Sequence, residues 1–116
     1  MNNENIKTGQ LYLVNFNPST GHEFQGKRPA IVIQSNNFIK KSNLITVLPI
    51  TSNLDNKLTE DILLEKDDQN KLFSDSVIKV FYICSFDHSR FINYVGTVKN
   101  DVLLEVRKHL KKYFNL

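Results

Sequence analysis

The chain has 116 residues, 41% of them apolar, with eight Phe, four Tyr and a formal net charge of +3. That length suffices for one buried core and not for two, and the aromatic content excludes a disordered tail. The mild basic excess is compatible with a polyanionic partner such as nucleic acid without requiring one.

The polar start, Met1-Asn2-Asn3-Glu4-Asn5, lacks the apolar core of a signal peptide. No stretch reaches the roughly 18 apolar residues of a membrane helix, so a cytoplasmic protein without membrane contact is expected. Gln10 to Phe16 (QLYLVNF) is rich in aromatic and β-branched residues and predicts a strand, stopped by Asn17-Pro18-Ser19-Thr20-Gly21. Ala30 to Gln34 (AIVIQ) and Leu44 to Ile50 (LITVLPI) are short apolar runs bounded by turn residues, which suits buried strands. Ile62-Leu63-Leu64, Ser76 to Ile83 (SVIKVFYI) and Tyr94 to Val98 predict three more. The polar stretches Ser35 to Asn43 and Ser52 to Asp61 read as surface loops able to flank a site.

The end of the chain changes period. Leu103, Val106, Leu110 and Phe114 are spaced three, four and four, which predicts a helix capped by Asn100 or Asp101. Arg107, Lys108, Lys111 and Lys112 fall on its other side, either as a solvated face or as an RNA contact. The pattern is mainly β: a small antiparallel barrel or sandwich closed by a C-terminal helix, one domain over residues 1–116. A single cysteine, Cys84, excludes an internal disulfide and a thiolate zinc site, and His22, His88 and His109 lack ligand spacing. Neither metal nor cofactor is expected.

Three segments carry chemistry. The first, GHEFQGKRP over Gly21 to Pro29, sets Arg28 before a proline that biases it toward extended backbone. An arginine there grips a phosphate with two donors at once, or it pairs with Glu23 across its own loop. The second, Pro49-Ile50-Thr51-Ser52, sets two hydroxyls at a strand end, where they cap the backbone or donate to a phosphoryl oxygen. The third, FYICSFDHSRF over Phe81 to Phe91, interleaves aromatic and basic groups as base stacking requires. As a strand it would send Phe81, Ile83 and Ser85 to one face and Tyr82, Cys84 and Phe86 to the other, with half the rings in the core. Cys84 has no activating partner and reads as a small buried hydrophobe.

In this order the three segments resemble the MazF/PemK/Kid family of bacterial toxins. The family's G-x-E-x-x-G-x-R-P is met by Gly21, Glu23, Gly26, Arg28 and Pro29; its strand-ending P-[IL]-T by Pro49-Ile50-Thr51; and its last motif by Asp75, Ser76, Ser85, Asp87 and Arg90. The resemblance implies an SH3-like small barrel (CcdB/PemK-like) with a C-terminal helix, acting as a homodimer. It implies a metal-independent endoribonuclease in which the ribose 2′-hydroxyl attacks the adjacent phosphate of single-stranded mRNA, leaving a 2′,3′-cyclic phosphate and a 5′-hydroxyl. It also implies a cognate antitoxin, with operator DNA bound only together with that antitoxin.

Carried over by position, the resemblance assigns catalysis to Arg28 and Thr51, with His22 as a proton carrier, and RNA contact to Glu23, Gln25, Lys27, Ser52, Lys79 and Ser85. Many relatives read Q-I-R-T-x-D where this chain has Tyr82-Ile83-Cys84-Ser85-Phe86-Asp87, and the acid used in a His-based variant of the site would fall at Phe81. These departures leave a second expectation: a catalytically degenerate RNA-, DNA- or protein-binding module of the same fold, as in gyrase-inhibiting toxins. A transcriptional regulator is not expected, because no helix-turn-helix pattern is visible.

Overall fold

A computed structural model describes residues 5–116, and Met1 to Glu4 of the polar leader lie outside them. Seven strands alternate with two helices: β1 (Gln10–Asn15), β2 (Lys27–Val32), α1 (Asn36–Ile39), β3 (Leu44–Thr51), β4 (Ile62–Leu64), β5 (Ser76–Ile78), β6 (Cys84–Asp87), β7 (Phe91–Thr97) and α2 (Asn100–Phe114). All pairings are antiparallel and run in the order β4-β5-β3-β2-β1-β7, with β6 also on β3. The end strands β4 and β7 do not pair, so the sheet is open and not a hydrogen-bonded closed barrel.

β3 is the spine. One edge carries β2, while the other carries β6 along Leu44 to Val47 and β5 at Ile50 and Thr51. Successive side chains along β1, β2 and β3 supply opposite faces, and both faces are apolar. Tyr12, Val14, Ala30, Val32, Ile45 and Val47 join one buried cluster. Leu11, Ile31, Leu48 and Ile50 join a second, under β4, β5 and α2. This is why AIVIQ and LITVLPI read as unbroken apolar runs.

α2 packs Val106 fully and Val102, Leu103 and Leu110 partly on the second cluster. Its first turn follows Lys99 as N-cap, so Asn100 and Asp101 lie inside the helix and not at the cap; Asp101 instead accepts from the Val102 amide at 2.9 Å. Phe114 departs from the expected buried stripe and is 48% exposed.

Three other expectations shift. β2 starts at Lys27, earlier than AIVIQ suggested, because Lys27 and Arg28 pair with Asn15 and Val14 of β1. The stretch Ser76 to Ile83 is not one strand: β5 ends at Ile78, and a 3₁₀ turn over Val80–Tyr82 reorients the chain before β6. The expected alternation of Phe81, Ile83 and Ser85 against Tyr82, Cys84 and Phe86 is interrupted there. The loop Ser35 to Asn43 contains α1, whose first turn is capped by Ser35 Oγ accepting from the Asn37 amide at 3.2 Å.

Candidate active site

Continuing the β2–β3 register by two residues from the pair Ala30 and Pro49 sets Arg28 opposite Thr51. Both side chains line one cavity of about 490 Å³ together with Phe24, Ser52, Asn53, Asn56, Lys79 and Tyr82. A second cavity shares Arg28, Thr51 and Ser52 and extends over Lys27 to Lys71, Phe73 and Asn93. A third, of about 410 Å³, shares Phe24 and Tyr82 and extends past Glu23 and Phe81 to Ser85 and Phe86. The shared residues make these three hollows neighbours along one face, with Arg28 and Thr51 common to two of them.

Arg28 is held in place on two sides. Its Nε donates to the Gln25 carbonyl at 2.8 Å, and its guanidinium lies 5.0 Å from the centre of the Phe24 ring. Among the described residues, no acceptor engages its two Nη groups. The fork is therefore oriented by its base and open at its tip, as an anion receptor requires. Gly26, at φ +75°, lets the chain turn from Gln25 into β2.

Glu23 does not pair with Arg28. Its Oε1 accepts from the Thr20 amide at 2.6 Å, which braces the loop while the carboxylate still borders the third hollow. Gln25 contributes its carbonyl to Arg28, and its residue is exposed. Thr51 Oγ1 accepts from the Asn53 amide at 3.2 Å, and its own hydroxyl proton remains available to donate. Ser52 and Lys27 are exposed on the wall, and His22 is exposed on the loop. Ser85 shares a 2.6 Å hydrogen bond with the hydroxyl of Thr46, its register partner on β3.

Lys79 lines the cavity but is buried, and its ammonium is engaged: Nζ donates to Asp61 Oδ2 at 2.5 Å and to the Asn56 carbonyl at 3.2 Å. Its charge is neutralised from below, a circumstance invisible in a sequence where the partners stand eighteen residues apart. Phe81 stacks on Tyr113 of α2 at 4.8 Å between ring centres. Burial, and next the Glu23 charge, push the Cys84 thiol up to about 11, which keeps it protonated and unreactive. Among the described residues, no group of three His, Cys, Asp or Glu side chains is arranged to hold a metal ion.

Sequence reasoning marked the aromatic stretch of Tyr82 and Phe86 but missed that Phe16 and Phe24 join it into one wall. Phe86, Phe16, Phe24 and Tyr82 form a column of edge-to-face contacts at 5.0, 6.5 and 4.6 Å between centres. It begins on the first core cluster and ends at the cavity mouth, with Arg90 lying 5.1 Å from the Phe86 ring. Edge-to-face pairs of this kind are worth about 1 kcal/mol each beyond area burial.

Known proteins share the family and the fold of this chain. A family model described as "PemK-like, MazF-like toxin of type II toxin-antitoxin system" matches residues 7–114. A relative named Endoribonuclease MazF, from Staphylococcus epidermidis, is 30% identical over 102 residues, covering 87% of this chain and 84% of its own. The crystal structure of MazF (Form-I) from Deinococcus radiodurans superposes with a TM-score of 0.82 at 28% identity, over 96% of this chain and 97% of that one. A MazE-MazF (Form-II) crystal structure from the same organism has a TM-score of 0.73 at 24% identity and covers 96% of each chain, a likeness of fold.

Proposed function

Because this chain belongs to the PemK-like, MazF-like family of type II toxin–antitoxin toxins, we propose that Arg28 and Thr51 form the phosphate-binding centre of its ribonuclease site. The chain is a MazF-like toxin endoribonuclease. The single observation that carries the site assignment is the oriented Arg28 fork, with both Nη groups open, sharing a cavity with Thr51.

In this reading the ribose 2′-oxygen attacks the adjacent phosphorus, forming the 2′-O–P bond as the P–O5′ bond breaks. The products are a 2′,3′-cyclic phosphate and a 5′-hydroxyl, so no water is consumed in the step. Arg28 holds the two non-bridging oxygens as charge builds on them, and the Thr51 hydroxyl donates a third hydrogen bond. His22, exposed on the same loop, carries the proton released by the 2′-hydroxyl toward O5′, because an imidazole both accepts and donates a proton. Tyr82 and Phe24 offer π-faces to unpaired bases, which suits a single strand and not a duplex. Lys27, Ser52 and Ser85 flank the strand on either side.

The substrate is single-stranded mRNA, the chain works as a homodimer in the cytoplasm, and a cognate antitoxin neutralises it by covering this face. Among the described residues, no helix is long and apolar enough to cross a membrane.

The test is incubation of the protein with a long single-stranded RNA in excess chelator. Discrete fragments with 5′-hydroxyl ends are expected, and Arg28→Ala is expected to cut roughly 10²–10³-fold more slowly with its melting temperature unchanged. Full cleavage by Arg28→Ala refutes the assignment of Arg28. Intact RNA that stays bound to the wild-type protein refutes the enzyme and leaves a binding module of the same fold.

A further inference from the structure

The loop joining β3 to β4 supplies Asn53 and Asn56 to the cavity that holds Arg28 and Thr51. Every residue from Ser52 to Glu60 is exposed, so no buried side chain of its own orders it. Its anchor lies underneath. Asp61 and Lys79, 3% and 7% exposed, are the two buried charged residues among the described ones, and they meet directly below this loop.

Each partner also grips the loop backbone. Lys79 Nζ donates to the Asn56 carbonyl at 3.2 Å, and Asp61 Oδ2 accepts from the Leu58 amide at 2.9 Å. The Lys79 amide in turn donates to the Pro49 carbonyl at 3.0 Å, which fixes the pair to β3 two residues before Thr51. Asp61 Oδ1 is buried and has no partner among the described residues, so the carboxylate depends on Lys79 for its neutralisation. A buried ion pair is a weak source of net stability, since desolvation offsets the attraction, and apolar replacement of both partners is often neutral. What this pair supplies and an apolar pair would not is two backbone hydrogen bonds at fixed points of a polar loop.

We propose that the Lys79–Asp61 pair is a positioning device that holds Asn53 and Asn56 over the Arg28–Thr51 cavity, and thereby sets how sharply the protein discriminates the base beside the scissile phosphate. The proposal rests on the ribonuclease reading above. Asparagine amides carry a donor and an acceptor on one planar group, which is the complement of a base edge. Such a reader discriminates only if its backbone is held still.

The test is the double variant Lys79→Met/Asp61→Leu, with Asn56→Ala as a surface substitution that cannot unpack the core. The wild-type cleavage sequence is first read from a long RNA; kcat/KM is then compared between a short oligomer of that sequence and oligomers changed at the neighbouring base. In both variants the ratio between preferred and changed oligomer is expected to fall tenfold or more. In the double variant, the Leu58 amide is expected to exchange its hydrogen at least tenfold faster, while amides of β1 to β3 keep their protection. A general loss of structure would slow both oligomers alike and leave the ratio fixed. An unchanged ratio in Asn56→Ala, or an unchanged ratio with a still-protected Leu58 amide in a folded double variant, overturns the proposal. If the wild-type protein cuts no RNA, the ribonuclease reading falls, and Leu58 exchange alone decides whether the pair holds the loop.

Discussion

Gly96 on β7 is the point where the fold leaves least room, and Gly96→Ala tests how the wall of the second hollow is held. A Cβ built there would stand 2.2 Å from the Asn70 carbonyl oxygen, 2.5 Å from its carbon and 2.9 Å from the Gln69 oxygen. All three are backbone atoms, so no rotamer change relieves the contact and the segment must retreat by about an ångström. That segment is fastened where it would have to move. The Thr97 amide donates to the Gln69 carbonyl at 3.1 Å and Gln69 Nε2 donates to the Val98 carbonyl at 3.0 Å. Asn70, fully buried, accepts from the Asp67 and Leu72 amides and donates to the Glu65 carbonyl at 2.9 Å.

Losing two of these bonds costs about 2 kcal/mol, and residual overpacking adds about 1–2 kcal/mol. At about 4 °C per kcal/mol for a domain of this size, the melting temperature should fall by roughly 12–16 °C. Calorimetry at matched protomer concentration reads the shift. The displaced segment continues into Lys71, Leu72, Phe73 and Ser74, which line the hollow shared with Arg28, so KM for RNA should rise in the same variant while kcat changes less. A melting temperature within about 2 °C of wild type would refute the packing argument.

Three further outcomes are expected. Burial pushes the Cys84 thiol from an ordinary 9.0 up to about 11, so the native thiol should react with iodoacetamide tenfold or more slowly than the unfolded chain at pH 8; equal rates would contradict its burial. Because its folded pKa is raised, the linked stability is complete below pH 9.0 and is lost as pH climbs through about 11, which a melting series across that window would detect. Tyr82→Ala removes a ring that borders two hollows and should weaken RNA binding by roughly 1–3 kcal/mol, read as KM, with the cleaved sequence unchanged; unchanged KM would remove Tyr82 from the binding face.

The strands that bury both faces were legible because an apolar run of fixed length has few other uses. β1, β3 and the apolar end of β2 fall where QLYLVNF, LITVLPI and AIVIQ stand, and the spacing of Leu103, Val106 and Leu110 located the buried stripe of α2, which stops short of Phe114. That Arg28 and Thr51 share one site was implied by the family motifs, whereas their facing each other was not legible, since AIVIQ left Arg28 outside the strand and register is fixed only by the observed pairing. The break at Val80–Tyr82 was not: SVIKVFYI remains apolar through the turn, because Val80 enters the core from a 3₁₀ conformation as readily as from a strand. Nor was the engagement of Lys79, which needs Asp61 brought beneath it by the β4–β5 pairing. Composition describes what a lysine can do and not which carboxylate reaches it first.

The column from Phe86 through Phe16 and Phe24 to Tyr82 has a consequence for how such a protein changes over generations. Arg28 rests on Phe24, and Phe24 rests on Phe16, which is 4% exposed and belongs to the first core cluster. A conservative change inside that column tilts the surface on which the guanidinium lies. Drift in this interior therefore reaches the surface: the core ends as a wall of the hollows beside Arg28, so a change made for packing also reshapes them.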